Sequence, residues 1–477
     1  MPLSHIPNMF CIILLVVLAC QEAAAAQGPI IAAGGGQSLA VRRDGTVWAW
    51  GYNGQGQLGD GSTRDAVSPV QALWVTKAVA VSAGFTSSMA LQSDGRVWAW
   101  GSNESGQLGL GSKEGRIEPA PVEALTGVQA IDMGGSTVMA LTRDGAVWLW
   151  GRNQDGLLAH GRGGDLTSPV RLVGLRDVAG IAVGLNTLFA AQFNCVLHAW
   201  GKNQYGQLGV GSTADQSQPV PAQLSACPSS LAADHHVLAL GADGSVWAWG
   251  YNGEGQLGNG STRHEAQPQR VAGLTNIIGV ASERHSLAVR SDGTVWSWGP
   301  NQHGQLGDGT TETRRTPVQV LGLRDVRVIA AGAFYSLAVK SDGSVWAWGR
   351  NHYGQLGDGT RTGRTIPVRV SGPEGQGGLN LFAADDRAEL GAPPGVSFAT
   401  SVDHGHAPLP VRFSPILPSG QAPAAIQWDF GDGEVSSAPA PEHVYHAAGT
   451  YIVTLTVTFA GNQQAEAMKR IDVKVAW

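Results

Sequence analysis

The stretch "DGTVWAWGYNGQGQLGDG" (residues 44–61) combines two tryptophans with a dense set of glycines, and it decides the fold. Glycine-rich loops can hold phosphates and paired tryptophans can hold sugars, so a ligand site is one interpretation. However, the pattern D-G-x-V-W-x-W-G-x-N-x-x-G-Q-L-G-x-G recurs at intervals of 49 or 50 residues. The second tryptophan of the seven copies is Trp50, Trp100, Trp150, Trp200, Trp249, Trp298 and Trp348. Repetition at this period favours an architectural role for the stretch.

Each repeat contains four short apolar segments, which are clearest over residues 317–349. In chain order they are "PVQV", "RVIAAG", "SLAVKS" and "SVWAWG", and none has a helical period. The Asp-Gly pair between the last two is a strong signal for a two-residue hairpin turn. Seven four-stranded antiparallel units predict an all-β fold, a seven-bladed β-propeller over residues 27–372.

The alternation of large and small residues in "VWAW" predicts how the blades pack. Successive strand residues point to opposite sides of a sheet, so Trp48 and Trp50 should fill one gap between blades, and Val47 and Ala49 should line the other. The chain begins in the middle of a unit, and its last unit stops after Val370. We therefore expect the last strand to complete the first blade and close the ring.

Together with the upstream segment seen in "AAGAFYSLAV" and "SAGFTSSMAL", the repeated motif resembles the regulator of chromosome condensation family. The resemblance implies the propeller fold over residues 27–372, but it is weak for function because this fold hosts unrelated activities. The nuclear role of the family, nucleotide exchange on Ran, is incompatible with an exported protein. Among exported members, the chain is similar to the propeller-type β-lactamase inhibitory protein, which binds an enzyme through one face.

The end of the chain predicts a second domain. Residues 373–392 are rich in glycine, proline and acidic residues, and we expect a linker there. Residues 393–477 contain alternating strands such as "YIVTLTV" and Gly/Asp turns, which predict a small Ig-like β-sandwich. The motif "WDFGDG" (residues 428–433) resembles that of the polycystic kidney disease (PKD) domain. Such a domain implies a spacer or adhesion module of an exported protein.

The first residues predict export. The run "MFCIILLVVLA" (residues 9–19) is too short to span a bilayer and has the length of a signal-peptide core, although no Lys or Arg precedes Arg42. We expect a signal peptide over residues 1–26. Two processing routes remain open: cleavage after Ala26, or lipoprotein cleavage before Cys20. The protein would be secreted, periplasmic or at the cell surface, with membrane attachment only through a lipid on Cys20.

Two cysteines then remain in the exported chain. Cys195 stands where the other repeats have the turn glycine, and Cys227 lies in a loop of the next unit. In an antiparallel blade these two loops emerge on the same face, from neighbouring blades. A Cys195–Cys227 disulfide is the resulting hypothesis for an oxidising compartment.

Chemical motifs are largely missing from the sequence. No helix follows any glycine-rich string, as a dinucleotide site would need, and no spaced Cys/His set indicates a metal. No nucleophile elbow is present, and the recurrent aspartates, such as Asp44, are turn formers. The net charge of −6 gives no bulk attraction to nucleic acid. We therefore expect no enzyme activity, no cofactor, no metal and no nucleic-acid partner.

Function should lie where the repeats differ, and the turn after "AAG"-type segments varies most. It shares a face with the variable loops that follow the glycine-rich motif, and it carries aromatic, His and Arg side chains of the kind found at binding hot spots. The candidate contact residues are Phe85, His235, Arg284, His285, Phe334 and Tyr335. The prediction is an exported interaction module that binds a protein, with enzyme inhibition as one form. The alternative is a carbohydrate-binding or hydrolytic cell-surface protein with the PKD-like domain as spacer.

Overall fold

The computed structural model contains two compact units, Met1–Ala383 and Ala384–Trp477. The residues that it describes are 29–153, 158–159, 163–382, 397–402, 404–417, 423–458 and 464–474. The predicted signal peptide over residues 1–26, with Cys20, lies outside the described residues, as do positions 383–392 of the predicted linker.

The first unit consists of seven four-stranded antiparallel sheets, each built from consecutive strands. In blades 1 to 4 the strands are β1 (Ile31–Ala33), β2 (Gln37–Val41), β3 (Val47–Gly51), β4 (Ala66–Gln71), β5 (Ala78–Ala83), β6 (Ser87–Gln92), β7 (Val97–Gly101), β8 (Arg116–Pro121), β9 (Val128–Gly134), β10 (Thr137–Thr142), β11 (Val147–Gly151), β12 (Leu166–Arg171), β13 (Val178–Val183), β14 (Thr187–Gln192), β15 (Leu197–Gly201) and β16 (Gln216–Pro221). In blades 5 to 7 they are β17 (Pro228–Ala233), β18 (His236–Gly241), β19 (Val246–Gly250), β20 (Glu265–Arg270), β21 (Ile277–Ser282), β22 (Ser286–Arg290), β23 (Val295–Gly299), β24 (Arg314–Gln319), β25 (Val326–Gly332), β26 (Tyr335–Lys340), β27 (Val345–Gly349) and β28 (Arg364–Arg369). The predicted seven-bladed propeller is confirmed.

The phase of the repeat differs from the prediction. The proline-containing segment is the fourth strand of each blade, and β28 pairs with β27 in blade 7 while blade 1 is complete from β1 to β4. The expectation that the last strand completes the first blade is therefore wrong. The physical reason is local. After β3 the chain turns back, and β4 pairs with β3 of the same blade, with Ala49 opposite Val70. A cyclic pattern of four segments has the same sequence whichever segment is counted first.

Blades 7 and 1 instead meet through hydrogen bonds between complete sheets. The indole Nε1 of Trp50 donates to the carbonyl of Gln355 at 2.9 Å, and the amide of Gly359 donates to the carbonyl of Val67 at 3.0 Å. The same indole bond joins blades 1 and 2, where Trp100 donates to Gln57 at 2.9 Å. The ring is thus closed by the contact that holds its other blades together.

The packing between blades follows the predicted alternation. Val47 and Ala49 of blade 1 share one buried cluster with Trp100 of blade 2, and Trp98 packs at its edge. Trp50 lies on the opposite side of blade 1, in the cluster with blade 7. The prediction that tryptophans fill one gap and small residues line the other is confirmed.

The segment after β28 still belongs to the propeller. A 3₁₀ turn (Pro373–Gly375) is followed by Leu379 and Leu381, which are buried against blades 7 and 1. The amide of Arg43 donates to the carbonyl of Leu381 at 2.8 Å. The described part of the predicted linker over residues 373–392 is thus packed chain, because its two leucines continue the apolar surface of the ring.

The second unit is a β-sandwich. Its strands are β29 (Ser397–Thr400), β30 (His404–His406), β31 (Leu409–Ile416), β32 (Ala425–Asp429), β33 (Val435–Ser436), β34 (Glu442–Tyr445), β35 (Gly449–Thr458) and β36 (Gln464–Lys474). They form a three-stranded sheet, β29-β31-β34, and a five-stranded sheet, β30-β36-β35-β32-β33. Trp428, Phe413 and Tyr445 fill the core between them. Among the described residues of the chain, no helix has the length and apolarity to cross a membrane.

Candidate interaction face

Loops leave the propeller at two ends. The turns between first and second strands emerge at the same end as the long loops between third and fourth strands, because the strands are antiparallel. We call this end the motif-loop face, since its long loops contain the repeated G-x-N-x-x-G-Q-L-G-x-G. The opposite end carries the Asp-Gly hairpins and the links between blades.

The repeated residues of the motif build the loops. In blade 1 the side-chain oxygen of Asn53 accepts from the amide of Leu58 at 2.9 Å, and its nitrogen donates to the carbonyl of Ser62 at 3.1 Å. The side-chain oxygen of Gln57 accepts from the amide of Gln55 at 2.9 Å. Leu58 is fully buried. These side chains are occupied by bonds within the loop, so they are not the candidates for binding.

Four of the predicted contact residues reach the surface of the motif-loop face. Phe85 is 40% exposed and Arg284 is exposed, while His235 and Phe334 are half-buried. The residues come from blades 2, 5, 6 and 7, so they surround the axis rather than forming one cluster. Arg284 and Phe334 do meet, with the guanidinium carbon 5.4 Å from the ring centroid.

The other two predicted contact residues, His285 and Tyr335, are buried between blades, and the prediction is wrong for them. The ring Nε2 of His285 lies 2.6 Å from the hydroxyl of Ser336 in the next blade, and the hydroxyl of Tyr335 donates to the carbonyl of Gln37 at 2.5 Å. The reason is strand alternation: this position begins the second strand, and its side chain points into the neighbouring sheet. Burial lowers the pKa of His285 to about 3, with a smaller contribution from His236.

A set of surface side chains was missed by the sequence reasoning. Between the repeated letters of G-x-N-x-x-G, the variable positions of several blades hold aromatic or imidazole rings. We call this set the aromatic belt: Tyr52, Tyr205, Tyr251, His303, His352 and Tyr353. These rings are visible in the sequence, but they lie at variable positions inside the repeated motif. The predicted contact residues came only from the variable turns outside that motif.

The belt forms inter-blade contacts on one side of the ring. The rings of Tyr205 and Tyr251 lie 5.0 Å apart, joining blades 4 and 5, and those of Tyr52 and Tyr353 lie 4.8 Å apart, joining blades 1 and 7. His303 of blade 6 lies 5.2 Å from Phe334 of blade 7. The belt therefore runs from blade 4 through blades 5, 6 and 7 to blade 1.

Blade 2 is different at the corresponding positions. It has Ser102, Glu104 and Ser105 there, and its exposed aromatic residue is Phe85 in the shorter turn. The motif-loop face is thus chemically asymmetric although the blades beneath it are alike. Asymmetry of this kind is expected of a binding surface rather than of a packing device.

The inner strands surround a central cavity of about 610 Å³. At its motif-loop end, Asp234 and Glu283 take the place of channel glycines such as Gly84, as their equivalent turn hydrogen bonds show. Burial raises the pKa of Glu283 to about 8, and the neighbouring Asp234 carboxylate adds to the shift. Asp234 also pairs with Nδ1 of His235 at 2.9 Å. The axial opening therefore carries acidic groups, with Glu283 largely protonated at neutral pH.

The cysteines lie at the opposite end of the propeller. Cys195, in the hairpin between β14 and β15, forms a disulfide with Cys227, in the link from blade 4 to blade 5. Cys195 has a φ of 71°, in the left-handed region that Gly95 occupies in the same turn of blade 2. The bond ties two consecutive blades together on the face away from the belt.

Within the described ranges, no three His, Cys, Asp or Glu side chains converge as a group that could hold a metal ion. In the second unit His443 lies 2.6 Å from Asp432 and 3.5 Å from Glu434. The face therefore offers recognition groups, namely rings, guanidiniums and imidazoles, placed by rigid sheets.

A ring of blades whose repeated residues build the sheets, and whose variable residues form one asymmetric face, defines a β-propeller scaffold for recognition. The family model of the RCC1-like domain matches residues 19–233 and 197–387, so the chain belongs to the RCC1-like family. The PKD domain model matches residues 392–475. The predicted resemblances to both families are confirmed.

Solved structures agree on the fold of the propeller. Human WBSCR16 is 22% identical, with a TM-score of 0.62 over 69% of this chain and 94% of that chain. Prp20p from Saccharomyces cerevisiae is 21% identical, with a TM-score of 0.63 over 78% of this chain and 91% of that chain. That protein has binding properties toward Gsp1p and histones, and yeast RCC1 (Prp20) has also been solved bound to Kap60.

Proposed function

We propose that the chain is an exported, non-catalytic interaction module that binds a protein partner through its motif-loop face. The observation that carries the proposal is the aromatic belt, which extends over blades 4 to 7 and blade 1 and has no counterpart at blade 2. Tyr and His rings supply large contact areas at a low cost in conformational entropy, and they are typical of binding hot spots. A protein with a similar fold, yeast RCC1 (Prp20), has been solved bound to Kap60.

The arrangement of the rings favours a protein over a sugar. A sugar stacks on the open face of an aromatic ring, whereas Tyr205 and Tyr251 pack edge to face and are half-buried. Half-buried tyrosines combine an apolar ring with a hydroxyl and are suited to hydrogen bonds and apolar contacts with a protein surface. A carbohydrate is therefore the alternative ligand that the test must compare with a protein.

Export is supported by the apolar run at residues 9–19 and by the Cys195–Cys227 disulfide, since disulfides persist in oxidising compartments. The PKD domain would then act as a spacer or adhesion module at the cell surface. A partner that is an extracellular enzyme would be inhibited if the motif-loop face covered its active-site cleft.

The test is capture of extracellular proteins by the immobilised full chain, followed by cross-linking and mass spectrometry. The double variant Tyr205→Ala/Tyr251→Ala should weaken binding of the captured partner by about 100-fold or more, because it removes two neighbouring hot-spot rings. The matched control is Phe193→Ala, which removes a 73% exposed ring on the opposite face and should leave binding unchanged. Equal binding by the double variant, or binding only to a glycan array, would refute the proposal.

A further inference from the structure

A subset of the motif-loop face has a positive charge. Arg284 and Arg350 both lie against Phe334, with guanidinium carbons 5.4 and 6.0 Å from its ring centroid. Arg350 is also 5.8 Å from the ring of Tyr353, and His303 packs on the edge of Phe334. We call these five residues the cationic cluster. The guanidiniums of Arg284 and Arg350 thus place two positive charges beside the apolar ring of Phe334.

The backbone presents Phe334 at the surface in an unusual way. Its φ is 70°, a left-handed conformation that a bulky residue rarely adopts. Its carbonyl accepts from the amide of Arg350 at 2.9 Å, and the amide of the preceding Ala333 donates to Gly34 at 3.1 Å. Tyr335, the next residue, is the one buried between blades. Blade packing thus uses Tyr335, while the strained conformation serves to place the ring of Phe334 beside the arginines.

The charges of the cluster lack carboxylate partners among the described residues. Two other arginines of the same end of the propeller are paired, Arg314 with Asp308 and Arg364 with Asp358, both at 2.7 Å. Arg350 instead donates from Nε to Nδ1 of His352 at 2.9 Å. Burial lowers the pKa of His303, and the charges of Arg350 and His352 lower it further, as expected at a positive site.

The nearest acid to Arg284 is its sequence neighbour Glu283. Burial and the Asp234 carboxylate raise the pKa of Glu283 while Arg284 lowers it, and no described salt bridge joins Glu283 to Arg284. At the edge of the cluster, Glu254 accepts from Gln302 at 2.7 Å. The positive charge of Arg284 and Arg350 is therefore available to a ligand.

We infer that the cationic cluster binds an acidic segment of the partner protein. Asp or Glu side chains of that segment pair with Arg284 and Arg350, whose planar guanidiniums match carboxylate geometry, and an apolar side chain packs on Phe334. The inference rests on the proposed function, since it assigns a chemistry to the partner of the same face. It also fixes where on the face the partner's charge must lie, between blades 6 and 7.

The first test uses a defined probe, a fluorescein-labelled peptide of alternating Glu and Leu, with a Lys/Leu peptide of equal length as comparison. Fluorescence anisotropy with the full chain should show binding of the acidic peptide alone, weakening steeply with salt. Arg284→Gln and Arg350→Gln should each reduce its affinity about tenfold. The matched control is Arg64→Gln, an exposed arginine in the long loop of blade 1, which should have no effect. Melting curves establish that each variant is folded.

Several outcomes would overturn the inference. Equal binding of the two peptides, equal affinity of the parent and both arginine variants, or equally tight binding of heparin or single-stranded DNA would each exclude an acidic protein segment as the ligand. The partner captured by the full chain separates this failure from that of the proposed function. If capture depends on Tyr205 and Tyr251 but not on Arg284 and Arg350, the proposed protein-binding face is supported. The inference that the partner binds through an acidic segment is then wrong.

Discussion

The buried histidines between blades predict how stability depends on pH. His285 is fully buried beside Ser336, and burial lowers its pKa from 6.5 to about 3. His236 occupies the same position in blade 5, with its Nε2 2.7 Å from the hydroxyl of Ser286, and burial lowers its pKa to about 4. In blade 1 this position holds Gln37, which donates to the carbonyls of Gly84 and Ser87. His285→Gln therefore removes the titration while keeping a side chain that the fold accepts there.

The sign and size follow from proton linkage. Below pH 6.5 the unfolded chain protonates His285, whereas the folded chain does not until about pH 3, so acid favours unfolding across this window. The cost is at most about 1.4 kcal/mol per pH unit, or about 2.7 kcal/mol between pH 6.5 and 4.5. His236 contributes a cost of similar size down to its pKa of about 4. The free energy of unfolding of His285→Gln should thus fall less steeply in acid, by about 2 to 3 kcal/mol over this range.

Urea titrations followed by tryptophan fluorescence, from about pH 7 to about pH 4.5, measure this difference. Carboxylates that titrate in both proteins largely cancel when the variant is compared with the parent. His352→Gln, at an exposed position, is the control and should follow the parent curve. Parallel curves for His285→Gln and the parent would refute the reasoning, because they would mean that the buried imidazole is protonated as readily as in the unfolded chain.

Two further predictions concern the disulfide and the axial acid. The double variant Cys195→Ala/Cys227→Ala should lose about 3 to 4 kcal/mol in urea unfolding at neutral pH, since the bond closes a loop of sequence separation 32. Free thiols at both Cys195 and Cys227 in the non-reduced parent, detected by mass spectrometry, would contradict the bond itself. Because the pKa of Glu283 is raised to about 8, its contribution to stability is present below about pH 4.5 and is lost as pH rises to 8. Glu283→Gln should therefore raise the melting temperature relative to the parent at about pH 8 and not at about pH 4; an equal shift at both would exclude a titration effect.

The blades were predictable because their determinants repeat and are local. Trp100 packs in the gap beside Val47 and Ala49 of blade 1, and strand alternation alone predicts which gap it fills. The phase of the blade could not be predicted, since it depends on whether the segment ending at Gln71 pairs backward with β3 or forward with β5. In the structure the Asn53 loop folds back so that β4 pairs with β3, and a pattern that repeats every 50 residues does not say which of its two neighbouring strands a segment joins.

The candidate face was predictable in location but only partly in its residues. Variation between copies indicated turns from which Phe85, His235, Arg284 and Phe334 reach the surface. Sequence variation could not separate these residues from Tyr335 and His285. Adjacent positions at the start of a strand are equally variable, but their side chains point in different directions. The aromatic belt was missed for the opposite reason, since its rings lie at free positions inside a motif that otherwise builds structure.

The motif contains fixed positions, which are the same in most repeats, and free positions, which vary. This division explains how the binding face can vary while the blades keep their structure. In blade 1 the fixed polar residues of the long loop are held by hydrogen bonds. The side chain of Asn53 accepts from the amide of Leu58, and that of Gln57 accepts from the amide of Gln55. The backbone carbonyl of Gln57 accepts from the indole of Trp100 in the next blade. The free positions contact mainly each other across blades, as Tyr52 does with Tyr353. Their side chains can therefore change with little effect on the sheets beneath, while each change alters the chemistry of the face. Specificity in such a propeller should accordingly follow from the order of variable residues around the ring, which here places tyrosines at blades 4, 5, 7 and 1 and two arginines at blades 6 and 7.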